Sequence, residues 1–120
     1  MECVCIDMDV NDFSDILSDT MPIARNEHKC IECARLIHPG EKYRKEKAVF
    51  EGCHSTYKTC VDCNSIRQEF VCGSWYWGEI LEAVSNCIRD AGGNISESAI
   101  ASLTQPARER ICGLVEKYWD

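Results

Sequence analysis

The amino-acid sequence predicts an α+β fold: a small cysteine-stapled hairpin and helix, followed by additional C-terminal helices. Two Cys-x-x-Cys pairs, Cys30–Cys33 and Cys60–Cys63, are separated by 26 residues. Between them, turn-forming residues at 38–41 and 51–52 divide segments rich in β-formers. After residue 60, apolar residues recur at three- and four-residue spacing, which is typical of amphipathic helices.

Composition restricts the class of protein. The chain has 120 residues, of which 45% are hydrophobic and 28% charged, as in a folded single domain. Its apolar runs are far shorter than the roughly 20 residues that cross a bilayer. The N-terminus is acidic where a secretory signal is basic. We therefore expect a cytoplasmic location and reduced cysteines, so that metal binding is favoured over a disulfide framework.

The net charge of −7 is concentrated near the N-terminus. Residues 1–24 carry six acidic groups and no lysine or arginine, whereas residues 25–50 have a net charge of +3. The sequence predicts one domain, 1–120, made of an acidic leader (1–24), a cysteine-rich core (25–72) and a helical C-terminal part (73–120). The overall charge has the wrong sign for wrapping nucleic acid.

The leader and the hairpin come first in chain order. Apolar residues at every second position up to Met8 predict a short edge strand. Asn11 or Asp12 is then expected to cap a short helix that Pro22 ends. Residues 34–60 predict a hairpin. Its first arm contains Arg35, Leu36 and Ile37, its turn spans 38–41, and its return strand runs from Tyr43 to Phe50, followed by a second turn at 51–52.

Helices are expected after the hairpin. Thr59 is predicted to cap a helix from about Cys60 to Val71, and Ser74 a second helix that Gly92-Gly93 ends. Ser96 is expected to open a short helical turn. Thr104 is expected to cap the last helix, with Pro106 in its first turn, where a missing N–H costs nothing.

The two cysteine pairs predict a structural zinc site. Four thiolates are the ligand number that a tetrahedral zinc takes, here Cys30, Cys33, Cys60 and Cys63. The second pair lies at an expected helix start, where free N–H groups favour negative sulfur. A cysteine turn, a hairpin and a helix-start pair follow the order of elements in treble-clef zinc fingers, and residues 28–72 resemble that family. Unmetallated pairs and redox dithiols are the less favoured interpretations.

The other cysteines and the histidines give weaker signals. Cys72, Cys87 and Cys112 lie on or beside apolar stripes and are expected to be small buried residues. Cys3 and Cys5 should point the same way in a strand. A second metal site made of Cys3, Cys5, Cys53 and His54 is conceivable but disfavoured. His28 is expected to form a hydrogen bond near the cysteine turn.

No catalytic constellation is evident in the sequence. A closed four-thiolate site leaves no open coordination position, and the junction at 56–60 lacks a histidine base, so a metal-dependent nuclease is disfavoured and no enzyme activity is expected. A protein partner is favoured instead, through acidic and aromatic residues: Asp7, Asp9, Asp12, Asp15, Trp75 and Tyr76. The alternative is nucleic-acid binding through the basic hairpin residues Lys42, Arg44, Lys45 and Lys47.

The chain also resembles a family of small uncharacterised proteins encoded by bacteriophages and prophages. The resemblance lies in the segments at 5–9, 28–33, 39–43, 57–63 and 103–108, which include Pro39-Gly40-Glu41-x-Tyr43 and Leu103-Thr104-x-Pro106-Ala107-Arg108. It implies a protein that acts in the bacterial host cell. From the resemblance we expect it to bind a host macromolecule, either to inhibit a defence system or to redirect host machinery.

Overall fold

The predicted α+β class is confirmed. The computed structural model describes residues 3, 5–8 and 14–120. In chain order, these residues form β1 (Asp15–Thr20), β2 (His28–Lys29), β3 (Leu36–Ile37), β4 (Tyr43–Phe50), β5 (Cys53–Cys60), α1 (Val61–Phe70), α2 (Ile80–Asp90), α3 (Glu97–Ala101) and α4 (Gln105–Trp119).

The main sheet has the strand order β1-β4-β5, with antiparallel neighbours. β4 and β5 form a hairpin in register from Tyr43↔Cys60 to Phe50↔Cys53. Its turn is tight because Glu51 and Gly52 both have positive φ, at 49° and 79°. The second turn was therefore predicted in the right place.

The leader forms a strand where a helix was expected. β1 pairs with the edge of β4 that β5 leaves free, with a register shift between Ile16 and Ser18. The helix prediction for this segment is wrong because the long β4 edge supplies backbone partners, which local spacing does not reveal. Its proposed caps, Asn11 and Asp12, lie outside the described residues.

The first arm of the predicted hairpin also pairs differently. Leu36 and Ile37 pair with β2, in the register His28↔Ile37 and Lys29↔Leu36. The first cysteine pair is the turn between these short strands, where Cys30 N donates to Arg35 O at 2.9 Å. The chain therefore folds back at the cysteines. The predicted turn at 38–41 is also present, since Glu41 N donates to His38 O at 3.1 Å, but it leads from β3 into β4 of the other sheet.

The helix ends follow their capping residues, with two corrections. Ser96 and Thr104 cap α3 and α4 as predicted, by accepting from Ala99 N and Ala107 N. The cap of α1 is Cys60 instead of Thr59, because the Cys60 Sγ accepts from Cys63 N. α2 begins at Ile80, several residues after the predicted cap Ser74.

Two apolar cores lie side by side. The larger joins α1, α2, α3 and α4 through Phe70, Val84, Ala99 and Ile111. The smaller surrounds the cysteine turn and contains Ile37 and Tyr43 together with three of the four cysteines of the Cys-x-x-Cys motifs. The partly buried Leu81 of α2 packs against both cores. α2 therefore links the cysteine-rich half to the helical half.

The described residues at the N-terminus, 3 and 5–8, run along the helical half and are called the N-terminal strap. Ile6 N donates to Phe70 O at 2.7 Å, and Cys72 N donates to Ile6 O at 3.0 Å. Asp7 lies so close to Gly73 that a Cβ at that position would collide with its side chain. The close approach explains the glycine, because a larger residue would push the strap away.

Candidate metal centre

The four predicted cysteines meet at the junction of the two halves. Cys30 and Cys33 lie in the turn between β2 and β3, and Cys60 and Cys63 lie at the end of β5 and in the first turn of α1. All four Sγ atoms lie within 4.8 Å of one another. Cys33 is partly buried and the other three are buried. The predicted convergence is confirmed, and this cluster is able to hold a metal ion.

Backbone N–H groups point at the sulfur atoms. Cys60 N donates to Cys30 Sγ at 3.3 Å, and Cys63 N donates to Cys60 Sγ at 3.4 Å. The second bond is the N-cap of α1, so the positive end of that helix also faces the cluster. These donors stabilise thiolates, which are the form that ligates metal.

The neighbouring thiols also shift the pKa values of one another. Hydrogen bonds with Cys60 and Cys63 lower the pKa of Cys30 far below that of an ordinary thiol. The contact with Cys30 raises the pKa of Cys63 and of Cys60, with burial adding to the effect. Four adjacent thiolates repel one another in a partly dry site. A divalent cation that prefers sulfur compensates that charge, and the donor set therefore fits such an ion.

Each cysteine pair carries an acidic residue that reaches the helical half. Glu32 accepts from Gly78 N at 2.7 Å and from Ile80 N at 3.0 Å, and so caps α2 from outside the helix. Asp62 accepts from the Thr104 hydroxyl at 2.6 Å, at the N-cap of α4. In the sequence, each of these two residues is the acidic residue directly before the second cysteine of its pair. Their contacts with the helical half were not predicted.

The remaining cysteines form two disulfides and two free thiols. Cys3 pairs with Cys87 and Cys5 with Cys72, with Cα–Cα distances of 5.6 and 5.3 Å. The expectation of reduced cysteines is therefore wrong for these four. Cys72 and Cys87 are also not the small buried residues that were expected, since Cys72 is exposed and Cys87 is partly buried. Their partners lie on the N-terminal strap, which sequence spacing does not place beside them.

The conceivable second metal site is not assembled. Cys3 and Cys5 are disulfide-bonded, and Cys53 is an exposed free thiol at the start of β5. Within the described residues, the four-cysteine cluster is the only group of metal-ligating side chains brought together. His28 lies outside it and contacts Lys58 Nζ through Nδ1 at 3.2 Å.

The predicted partner-binding residues occupy different environments. Asp7 accepts from the N–H and hydroxyl of Ser74, and Asp15 is exposed on β1. Tyr76 is 44% exposed. Trp75 is partly buried against the helical core. Asp9 and Asp12 lie outside the described residues.

The basic run on the hairpin divides between the two faces of the sheet. Arg44 is occupied within the protein, since it donates to both carboxylate oxygens of Asp19 and to Asn64 Oδ1. Lys45 and Lys47 alternate with it and point to the opposite face. Lys45 pairs in register with Lys58 there. Lys42 is exposed just before β4.

A buried ion pair between Glu46 and Arg67 contacts Trp75 and Trp77, and it was not predicted from the sequence. Glu46 is fully buried in β4, and its Oε1 accepts from Arg67 Nη1 at 2.9 Å and from Trp77 Nε1 at 3.2 Å. Within the described part of the chain, Glu46 Oε2 and Arg67 Nη2 have no hydrogen-bond partner. The sequence does not reveal this arrangement, because a single glutamate among lysines and an arginine is typical of a solvent-exposed strand.

An open groove of about 1100 Å³ lies beside this ion pair. One sheet face forms its floor, including Ile16, Ser55 and Tyr57, and the segment 73–79 forms its wall. Trp77 stacks on Tyr57 with a centroid distance of 4.1 Å and closes the wall against the floor. We call this feature the aromatic groove.

Comparison with known proteins found no matching family model, no matching curated protein and no matching solved structure. A search of the described residues for helices long and apolar enough to span a bilayer found none.

Proposed function

We propose that the protein is a zinc-stabilised, non-enzymatic module that binds a partner macromolecule in a bacterial host cell. The observation that supports it best is the four-cysteine cluster, whose sulfur atoms lie within 4.8 Å of one another. Four thiolates saturate a tetrahedral zinc and leave no position for substrate or water. The ion then acts as a staple between the β2–β3 turn and the start of α1, and a surface elsewhere on the protein binds the partner.

The metal part of this proposal is tested by elemental analysis. We expect one equivalent of zinc in the purified protein and none in Cys63→Ser. Cys53→Ser is the matched control, because Cys53 is an exposed free thiol outside the cluster. Absence of tightly bound metal from the wild-type protein would refute the assignment. Nuclease activity with added magnesium or manganese would refute the non-enzymatic part.

The partner part follows from the resemblance to phage-encoded proteins and from the acidic and aromatic surface residues. A host protein is the favoured partner, and inhibition of a defence system or redirection of host machinery is the favoured outcome. Affinity capture from bacterial lysate tests this. We expect a specific protein to be recovered by the wild type and lost with Cys63→Ser. Recovery of no specific protein, together with no effect on phage growth, would refute it.

Nucleic-acid binding is a second candidate, and one observation favours it. Lys45 and Lys58 are cross-strand neighbours, and Lys47 lies two residues along on the same open sheet face. Binding to phosphates should weaken steeply with salt. Lys45→Ala and Lys58→Ala should reduce the salt slope, while Lys117→Ala on α4 should leave it unchanged. Salt-independent or undetectable binding to single- and double-stranded DNA and RNA would rule this candidate out.

A further inference from the structure

The lining of the aromatic groove combines ring faces with carboxylates. Its aromatic residues are Phe50, Tyr57, Trp75, Tyr76 and Trp77. Phe50 and Tyr76 are 40% and 44% exposed, so their rings are accessible to a ligand. The ring cluster already stacks a guanidinium, because Arg67 lies over Trp75 at 4.5 Å from its centroid. Rings arranged in this way attract cations through their negative faces.

The charges at the groove have one sign. Asp7, Glu51 and Glu79 line it, and its described lining contains no lysine or arginine. Glu51 and Glu79 are exposed, and within the described residues neither forms a salt bridge. An anionic ligand would be repelled, whereas a cationic one is attracted by carboxylates and rings together.

The edge of β5 lies along the same groove. Cys53, Ser55 and Tyr57 line the groove from alternate positions of β5. The hairpin turn has two residues, so the hydrogen-bonded pairs with β4 begin at Phe50↔Cys53 and the backbone groups of His54 and Thr56 point to the outer edge. Among the described residues, no strand pairs with this edge, and Ile31 N donates to Lys58 O at 2.8 Å at its far end, beyond His54 and Thr56.

We infer that the aromatic groove binds an extended segment of a partner protein that carries arginine or lysine at alternate positions. The segment adds a strand to β5, and its alternate cationic side chains enter the groove between the rings and the carboxylates. This inference rests on the proposed partner-binding function and names the chemistry of the partner. It uses a surface separate from the metal cluster and from the lysine face.

The direct test uses full-length, metal-loaded protein and a fluorescent decapeptide of alternating arginine and valine. Binding is measured by fluorescence anisotropy. The same peptide with glutamate for arginine should not bind. A third peptide keeps every arginine but carries N-methyl groups on the backbone nitrogens that would pair with β5, and it should bind much more weakly.

Two pairs of variants locate the site. Glu79→Gln and Tyr76→Ala should each weaken binding about two- to fivefold, as loss of one exposed cation contact does. Glu97→Gln and Tyr118→Ala are the controls, since both residues lie outside the groove and Tyr118 is 40% exposed, like Tyr76. Far-ultraviolet circular dichroism verifies that every variant is folded.

The outcomes separate the inference from the proposed function. Equal binding of the glutamate peptide, equal binding of the N-methylated peptide, or wild-type affinity in both groove variants would overturn the inference. So would failure of the arginine peptide to bind. In each of these cases, a host protein still captured from lysate would leave the proposed function standing. If capture fails and phage growth is unaffected while the peptide binds as expected, the proposed host partner is wrong and the groove assignment stands.

Discussion

Replacing Glu32 with alanine should uncouple the cysteine turn from α2. The N-cap residue of α2, Glu79, forms no side-chain capping bond. Glu32 supplies the cap instead, with one oxygen on Gly78 N at 2.7 Å and the other on Ile80 N at 3.0 Å. Gly78 has a φ of 88°, a backbone conformation that favours glycine. Removing Glu32 therefore leaves two N–H groups without their acceptor.

The expected loss of unfolding free energy is moderate. A helix cap contributes about 1 kcal/mol, and a hydrogen bond to a charged group contributes about 1.5–3 kcal/mol. Burial raises the pKa of Glu32, so part of this gain is spent on desolvating the carboxylate. We expect Glu32→Ala to lower the free energy of unfolding by about 2 kcal/mol. Glu32→Gln, which keeps one acceptor oxygen but loses the charge, should fall between it and the wild type.

The measurement is urea unfolding of the metal-loaded protein, followed by circular dichroism and tryptophan fluorescence. Glu79→Ala is the matched control, because it removes a neighbouring carboxylate that makes no capping bond, and it should change stability by less than about 0.5 kcal/mol. If Glu32→Ala proves as stable as the wild type, or Glu79→Ala is equally destabilised, the capping argument is wrong. Unchanged metal content in both variants would show that the effect is not loss of metal.

Three further predictions concern the buried ion pair, the carboxylate of Asp19 and the metal ion. Glu46→Ala should destabilise the protein by roughly 3–5 kcal/mol in urea unfolding, because it leaves Arg67 buried without its partner, whereas Lys47→Ala on the same strand should have little effect. The Arg44 hydrogen bonds lower the pKa of Asp19, so its stabilising contribution is present above about pH 4 and is lost as the pH falls through the folded-state pKa. Acid titration of unfolding should show that loss in the wild type and in Asp15→Asn but not in Asp19→Asn. Chelation of the metal should lower the unfolding free energy and speed amide exchange at the starts of α2 and α4, and unchanged exchange there would contradict the coupling.

Local signals predicted some elements well. The Glu51-Gly52 turn, the Ser96 and Thr104 caps and the Gly92-Gly93 stop depend on backbone preferences of a few neighbouring residues, so the sequence alone was sufficient. The four-cysteine cluster was predictable for a similar reason. Two residues between cysteines suit one tight turn, whatever surrounds it.

Long-range pairing was not predictable from the same signals. β1 is a strand because the free edge of β4 lies beside it, and its Ile16-Leu17 spacing suits a helix equally well. Cys72 and Cys87 fit an apolar stripe, and only the path of the N-terminal strap brings Cys5 and Cys3 to them. Trp77 fits the stripe of α2, yet it precedes the helix and stacks on Tyr57.

The sequence by itself determined the fold class, the two cysteine turns, the main turns and two of the helix caps, because each depends on residues close together in the chain. Only the tertiary structure decided how the halves join. Glu32 and Asp62 reach the starts of α2 and α4 across 46 and 42 residues of sequence, to Gly78 and Thr104 respectively. The groove likewise combines β1, β5 and the segment 73–79. Spacing along the chain carries no information about such contacts, since they depend on how separately formed elements pack.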